Sequence, residues 1–138
     1  MDSIEDSLRD FHEKYGHLIN NTPQVPPQPV KDLRLSLCLE EFTEFFEALL
    51  KNDMTEIADG AADLVYVVVG TCISYGIPFD RVFQEVHRSN MTKTSVKAEE
   101  GQKYGTKTPK GPDYKPPLVG LILNFPEIKT GLELTQGE

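Results

Sequence analysis

The chain has 138 residues with a formal net charge of −8 and 38% hydrophobic residues. That length predicts one domain, with a core but no room for two. The charge is uneven: residues 1–63 carry 14 acids and 5 bases, and residues 81–115 carry 8 bases against 4 acids. A dense acidic half beside a basic arm excludes a nucleic-acid surface, where phosphates would meet the acids. No run of 18 apolar residues and no signal-like N-terminus is present, so a cytoplasmic protein without a membrane partner is expected. Cys38 and Cys72 lie inside apolar helical patterns without CxxC spacing and read as small buried hydrophobes.

In chain order, residues 3–20 repeat Ile4, Leu8, Phe11, Tyr15 and Leu18 at spacings of three and four, which predicts a first amphipathic helix. The segment NNTPQVPPQPV (20–30) then stops it, because its prolines remove donors and fix φ, and reads as an extended arm. A second helix is expected from about Lys31 to Leu50, packed through Leu33, Leu37, Phe45, Ala48 and Leu49 and closed by KND. The 22 residues TEIADGAADLVYVVVGTCISYG (55–76) contain β-branched residues but no turn signal before YGIP, which predicts one buried central helix. A fourth helix over 78–93 opens at Pro78. Residues 94–117 are rich in Lys, Gly and Pro and read as a long loop, followed by a short apolar element at 118–126. The expected architecture is all-α, with about four main helices in a single domain over 1–138. Its core lies at about 3–93, with the loop and short C-terminal element at 94–126.

The stretch LEEFTEFFEALL (39–50) concentrates Glu40, Glu41, Glu44 and Glu47 with no lysine before Lys51. Glu41 and Glu44 share a helix face, and on the third helix Asp59 and Asp63 are four apart, with Glu56 a turn earlier. Antiparallel packing across KNDMT would gather these acids, and four to six carboxylates in one place demand a compensating charge. Oxygen ligands without His or Cys select Mg²⁺, Mn²⁺ or Ca²⁺ over zinc. A di-iron bundle needs Glu-x-x-His pairs, and His12, His17 and His87 form none. An EF-hand needs its acids on a loop with a central Gly. A Mg²⁺ cluster that holds polyphosphate is what remains.

Glu41-x-x-Glu44 followed by an acidic pair and ADLVYVVVGT resembles the MazG-like all-α NTP pyrophosphohydrolases, including the all-α dUTPase relatives. FQEVHRSNMTK and KGPDYKPP resemble that family's downstream helix and closing loop. In order, Glu41-x-x-Glu44, Ala62-Asp63-Leu64 and His87-x-x-Asn90-x-x-Lys93 make the likeness specific from about Ser7 to Leu123. The resemblance implies Mg²⁺-dependent hydrolysis of a (deoxy)nucleoside triphosphate between the α and β phosphates, with Mn²⁺ as a substitute ion and dUTP as a candidate substrate. It also implies a homodimer or homotetramer. One departure stands out: Gly60 occupies the place of the second motif's Glu. The resemblance then implies Glu41, Glu44 and Asp63 as metal ligands, with neighbouring Asp59 supplying the missing carboxylate. It assigns water activation to Glu40. Asn90 and Lys93 become phosphate ligands, Lys110 and Tyr114 residues that close over the substrate, and His12 a residue lining the base pocket. His87 is expected to be buried or hydrogen-bonded and to take no part in chemistry.

Overall fold

The computed structural model describes residues 1–95 and 105–125. Among them lie α1 (Ile4–Tyr15), α2 (Gln28–Lys51), α3 (Met54–Tyr75), α4 (Phe79–Asn90) and α5 (Val119–Asn124), and no strand. The chain is therefore all-α, as its sequence predicts. It divides into two compact units, the first Met1–Asp80 and the second beginning at Arg81.

In the first unit, α1 starts where Ser3 and Asp6 cap each other: each side chain accepts the other's backbone N–H at 3.1 Å. It stops five residues short of expectation, because Gly16 adopts the left-handed conformation (φ 72). Leu18 consequently leaves the helix face, and its carbonyl accepts the Ser74 hydroxyl at 2.9 Å. The proline arm is stitched to the C-terminal end of α3 by backbone bonds from Asn20 to Ile73 and from Gln24 to Tyr75. Gly76 (φ 68) permits that approach, since a Cβ there would overlap the Thr22 carbonyl. α2 begins at Gln28, three residues earlier than the prolines suggested. Pro29 lies in its first turn, where no backbone donor is required.

The long apolar segment forms a single helix, α3, opened by the Asp53 side chain, which accepts the Glu56 backbone N–H. Leu8, Val69 and Ile73 are its sealed core, with Ile19 and Phe79 packed against them. The packing around them is thinner than the sequence implies. Leu33 and Leu49, expected inside, are exposed, as are Leu39, Phe42, Phe46, Val65 and Val68. By length and composition α3 could cross a membrane, and with 22% of its most apolar stretch buried it is far more exposed than the buried central helix expected. Among the described residues an apolar flank of the α2–α3 pair is left uncovered.

The second unit is organised by Glu85, fully buried on α4. Its carboxylate accepts the Arg88 guanidinium at 2.7 Å and the Leu118 backbone N–H at 2.9 Å, which fixes the start of α5. α4 ends at Asn90, so Lys93 lies beyond the helix in a turn whose N–H bonds the Asn90 carbonyl. The expected loop is irregular at 94–95 and 105–117 and the short apolar element is α5; residues 96–104 and 126 lie outside the described residues.

Candidate active site

The turn between α2 and α3 sets everything that follows. Asn52 takes a left-handed conformation (φ 59) and Asp53 caps the next helix, which reverses the chain in two residues. The antiparallel register is fixed by side-chain contacts. Arg34 bonds Thr71, Cys38 approaches Val67 and Thr71, and Phe45 lies across from Gly60. A Cβ at Gly60 would stand 3.3 Å from the Phe45 Cα, so glycine lets the two backbones close in at this point. The same register directs Glu41 toward Asp63 and Glu44 toward Gly60.

A groove of about 250 Å³ opens beside that contact, lined by Glu44, Glu47, Ala48, Lys51, Glu56, Asp59, Gly60 and Asp63. Five carboxylates against one ammonium leave it strongly negative. Glu41 lies within electrostatic reach of Glu44 and Asp63, and its Oε2 is buried with no hydrogen-bond partner among the described residues. Its carboxyl is pushed above the ordinary range by loss of solvent, then by the charges of Glu44, Asp63 and Glu40. Glu40, one residue away, points about 100° around the helix and is exposed. The donor set is all oxygen and contains an orphaned buried oxygen, which suits a hard divalent cation. Among the described residues no three acidic, His or Cys side chains yet converge on one point. Ligation therefore requires rotation of these side chains, most of which are exposed and free to turn. Asp63 is among the exposed ones and lies on the rim of the helix contact.

Within the first unit Glu44, Asp59 and Asp63 line one groove, and Glu41 feels the charges of Glu44 and Asp63. Its account of the other candidates is mixed. His12 is 1% exposed, and its Nδ1 donates to the Leu18 carbonyl at 3.1 Å. Burial holds its pKa below the usual 6.5. It lines a second cavity, of about 260 Å³, with Phe11, His17, Arg34 and Tyr66. Asn90 and Lys93 belong to the second unit, as do Lys110 and Tyr114. Lys110 stands 5.1 Å over the Tyr114 ring, and Tyr114 also receives the Ser89 hydroxyl. His87, expected to be buried or hydrogen-bonded, is exposed because it falls on the outer face of α4. The sequence reading missed Glu47 as a groove residue, although it continues the Glu41, Glu44 spacing of three. It also missed Arg34, whose signal was a lone cation among leucines two turns before Glu41.

Residues 8–90, more than half of the chain, match the family model described as phosphoribosyl-ATP pyrophosphohydrolase. An uncharacterized protein of Acanthamoeba polyphaga mimivirus is 38% identical over 79 residues. Those residues are 54% of this chain and 31% of that relative, so the likeness spans about a third of the relative's length.

Proposed function

The chain belongs to the phosphoribosyl-ATP pyrophosphohydrolase family, within the MazG-like all-α NTP pyrophosphohydrolase superfamily, and on that premise we propose that it cleaves nucleoside triphosphates to the monophosphate and pyrophosphate. The observation that carries this reading is the buried Glu41 oxygen, without a hydrogen-bond partner among the described residues, pressed by the charges of Glu44 and Asp63. Glu41, Glu44 and Asp63, with Asp59 beside them, would hold Mg²⁺ or, in its place, Mn²⁺. Such an ion, when bound, screens the phosphate charges and polarises a phosphoryl oxygen.

Glu40 is suited to a separate task. Turned away from Glu41 and open to solvent, its carboxylate orients a water and accepts its proton as the water oxygen attacks phosphorus. The bond from that phosphorus to the α–β bridging oxygen breaks, and the electron pair leaves with pyrophosphate. Asn90 and Lys93 keep a phosphate-binding role on the resemblance alone. The test is pyrophosphate release from a panel of NTPs and dNTPs, with and without divalent cation, with dUTP tried first. Cation-dependent release from at least one triphosphate is expected; none from any would overturn the reading. Gly60 favours a second reading, a member that has kept the fold and lost turnover, and the same assay with cation binding intact would identify it.

The uncovered flank of α2 and α3 fits a second copy of the chain. Glu40, Glu44, Asp59 and Asp63 interrupt its apolar residues, and carboxylates at such density are costly in lipid. A homodimer or homotetramer is proposed, and a clean 15.5 kDa species in light scattering at micromolar concentration would contradict it.

A further inference from the structure

Arg34 is 5% exposed, and among the described residues no carboxylate pairs with it. Its Nε donates to Thr71 Oγ1 at 3.1 Å and its Nη2 to the Val67 carbonyl at 3.0 Å. No hydrogen bond within the described residues engages Nη1. Burial without a counter-charge pulls the guanidinium below its ordinary pKa. Gly70 is what makes room for it, since a Cβ there would lie 2.7 Å from Nη2 and 3.1 Å from the His12 Nε2. A buried, unpaired charge is expensive to keep and is seldom retained for stability alone.

The cavity that Arg34 lines has the shape and chemistry of a ring-binding slot. Phe11 stacks on His17 at 5.7 Å with planes 9° apart, and meets the Tyr66 ring edge-on at 5.3 Å. The volume of about 260 Å³ is ample for a purine or a pyrimidine. Its position along α2 is informative. Arg34 precedes Glu41 by seven residues, which puts the two on one face roughly 10 Å apart. A nucleotide with its phosphates at the acids would thus present its base to the slot. The edge farthest from the sugar would then reach toward Arg34, which lines the slot about two helical turns before Glu41.

We infer that Arg34 is a specificity-determining residue that selects bases with an oxygen at pyrimidine position 4 or purine position 6. The inference rests on the nucleotide reading above and extends it to the base. A guanidinium has only donors. It rewards the oxygen of uracil, thymine or guanine and opposes the amino group that cytosine or adenine carries at the same place. Phosphate alone is a poor candidate for this cavity, because most of its walls, Leu8, Leu33, Leu37, Val67, Phe11 and Tyr66 among them, offer little to replace its hydration.

The test is calorimetric titration of dUMP, dGMP, dCMP and dAMP into the full chain without divalent cation, so that it does not depend on turnover. Wild type is expected to bind dUMP and dGMP roughly 10- to 100-fold tighter than dCMP and dAMP, the worth of one charge-assisted hydrogen bond. Arg34→Met should erase the ratio and Arg34→Lys keep part of it, with thermal melts verifying that each variant folds. Should Arg34→Met not fold, the wild-type ratio decides, with NMR shifts at Phe11 and Tyr66 locating the ligand. Equal binding of all four, no binding of any, or a ratio that survives in folded Arg34→Met overturns the inference. Base-selective binding without triphosphate hydrolysis would reject the hydrolase reading and leave this one standing.

Discussion

The two ends of the α2–α3 hairpin are made by the same pair of helices and treat charge in opposite ways. At the closed end, away from the turn, His12 and Arg34 are buried and bonded to Leu18, Thr71 and Val67. At the open end, beside the turn, Glu44, Glu47, Glu56, Asp59 and Asp63 crowd a groove with Lys51 as the one base among its lining residues. A glycine marks each close approach. Gly70 clears space for polar side chains, whereas Gly60 lets a backbone in. The first arrangement buries a guanidinium on neutral partners, whereas the second crowds carboxylates that repel one another until a ligand arrives. The two ends of one hairpin thus hold unbalanced charge of opposite sign.

The largest effects should come from the open end. Glu44→Gln and Asp63→Asn are expected to reduce pyrophosphate release to background while the fold persists. Glu40→Gln should lower kcat by roughly 10² to 10⁴, the usual consequence of removing a general base, with calorimetric cation affinity unchanged. Equal loss of cation binding in Glu40→Gln would merge its role with that of Glu41.

The core predicts the reverse pattern. Ile73→Ala opens a cavity in a site now 1% exposed and should cost about 2–5 kcal/mol in denaturant titrations. Activity per folded molecule should stay close to wild type. The two glycines sharpen the contrast on a smaller scale. Gly70→Ala must displace a bonded guanidinium and should cost about 1–3 kcal/mol. Gly60→Ala asks the helices to part by tenths of an ångström near a short turn and gains helix propensity, so a change within about 1 kcal/mol is expected.

Smallest is a pH effect at the closed end. His12 is held neutral by burial, below 6.5, whereas in the unfolded chain it titrates at that value. The unfolded state therefore binds more protons as pH drops below 6.5, and stability should decline there. In His12→Gln, that part of the slope in urea midpoints between pH 7 and 5 should vanish.

Much of this was written plainly in the chain. The acid spacing on two adjacent helices and the two-residue turn between them were enough to place Glu41, Glu44, Asp59 and Asp63 side by side. Spacing could not show where α1 ends, because Gly16 acts through one backbone angle while Leu18 still fits the apolar repeat. Pro29 misled for a related reason: a proline forbidden inside a helix is welcome in its first turn. Asp63 is exposed although its helix reads as buried, because exposure depends on which rim of the contact a residue occupies. Arg34 escaped notice because its meaning lies in partners 33 and 37 residues away.

Thermal melting with and without a divalent cation tests the central claim most directly. If the open end is strained by unbalanced carboxylates, Glu44→Gln and Asp63→Asn should melt at or above wild type in chelator. Mg²⁺ or Mn²⁺ should raise the wild-type midpoint, with about 2.7 kcal/mol gained at a hundredfold excess over Kd, and leave both variants nearly unmoved. Variants that melt well below wild type in chelator, with no response of the wild type to either ion, would show that these carboxylates hold the fold together and do not await a cation.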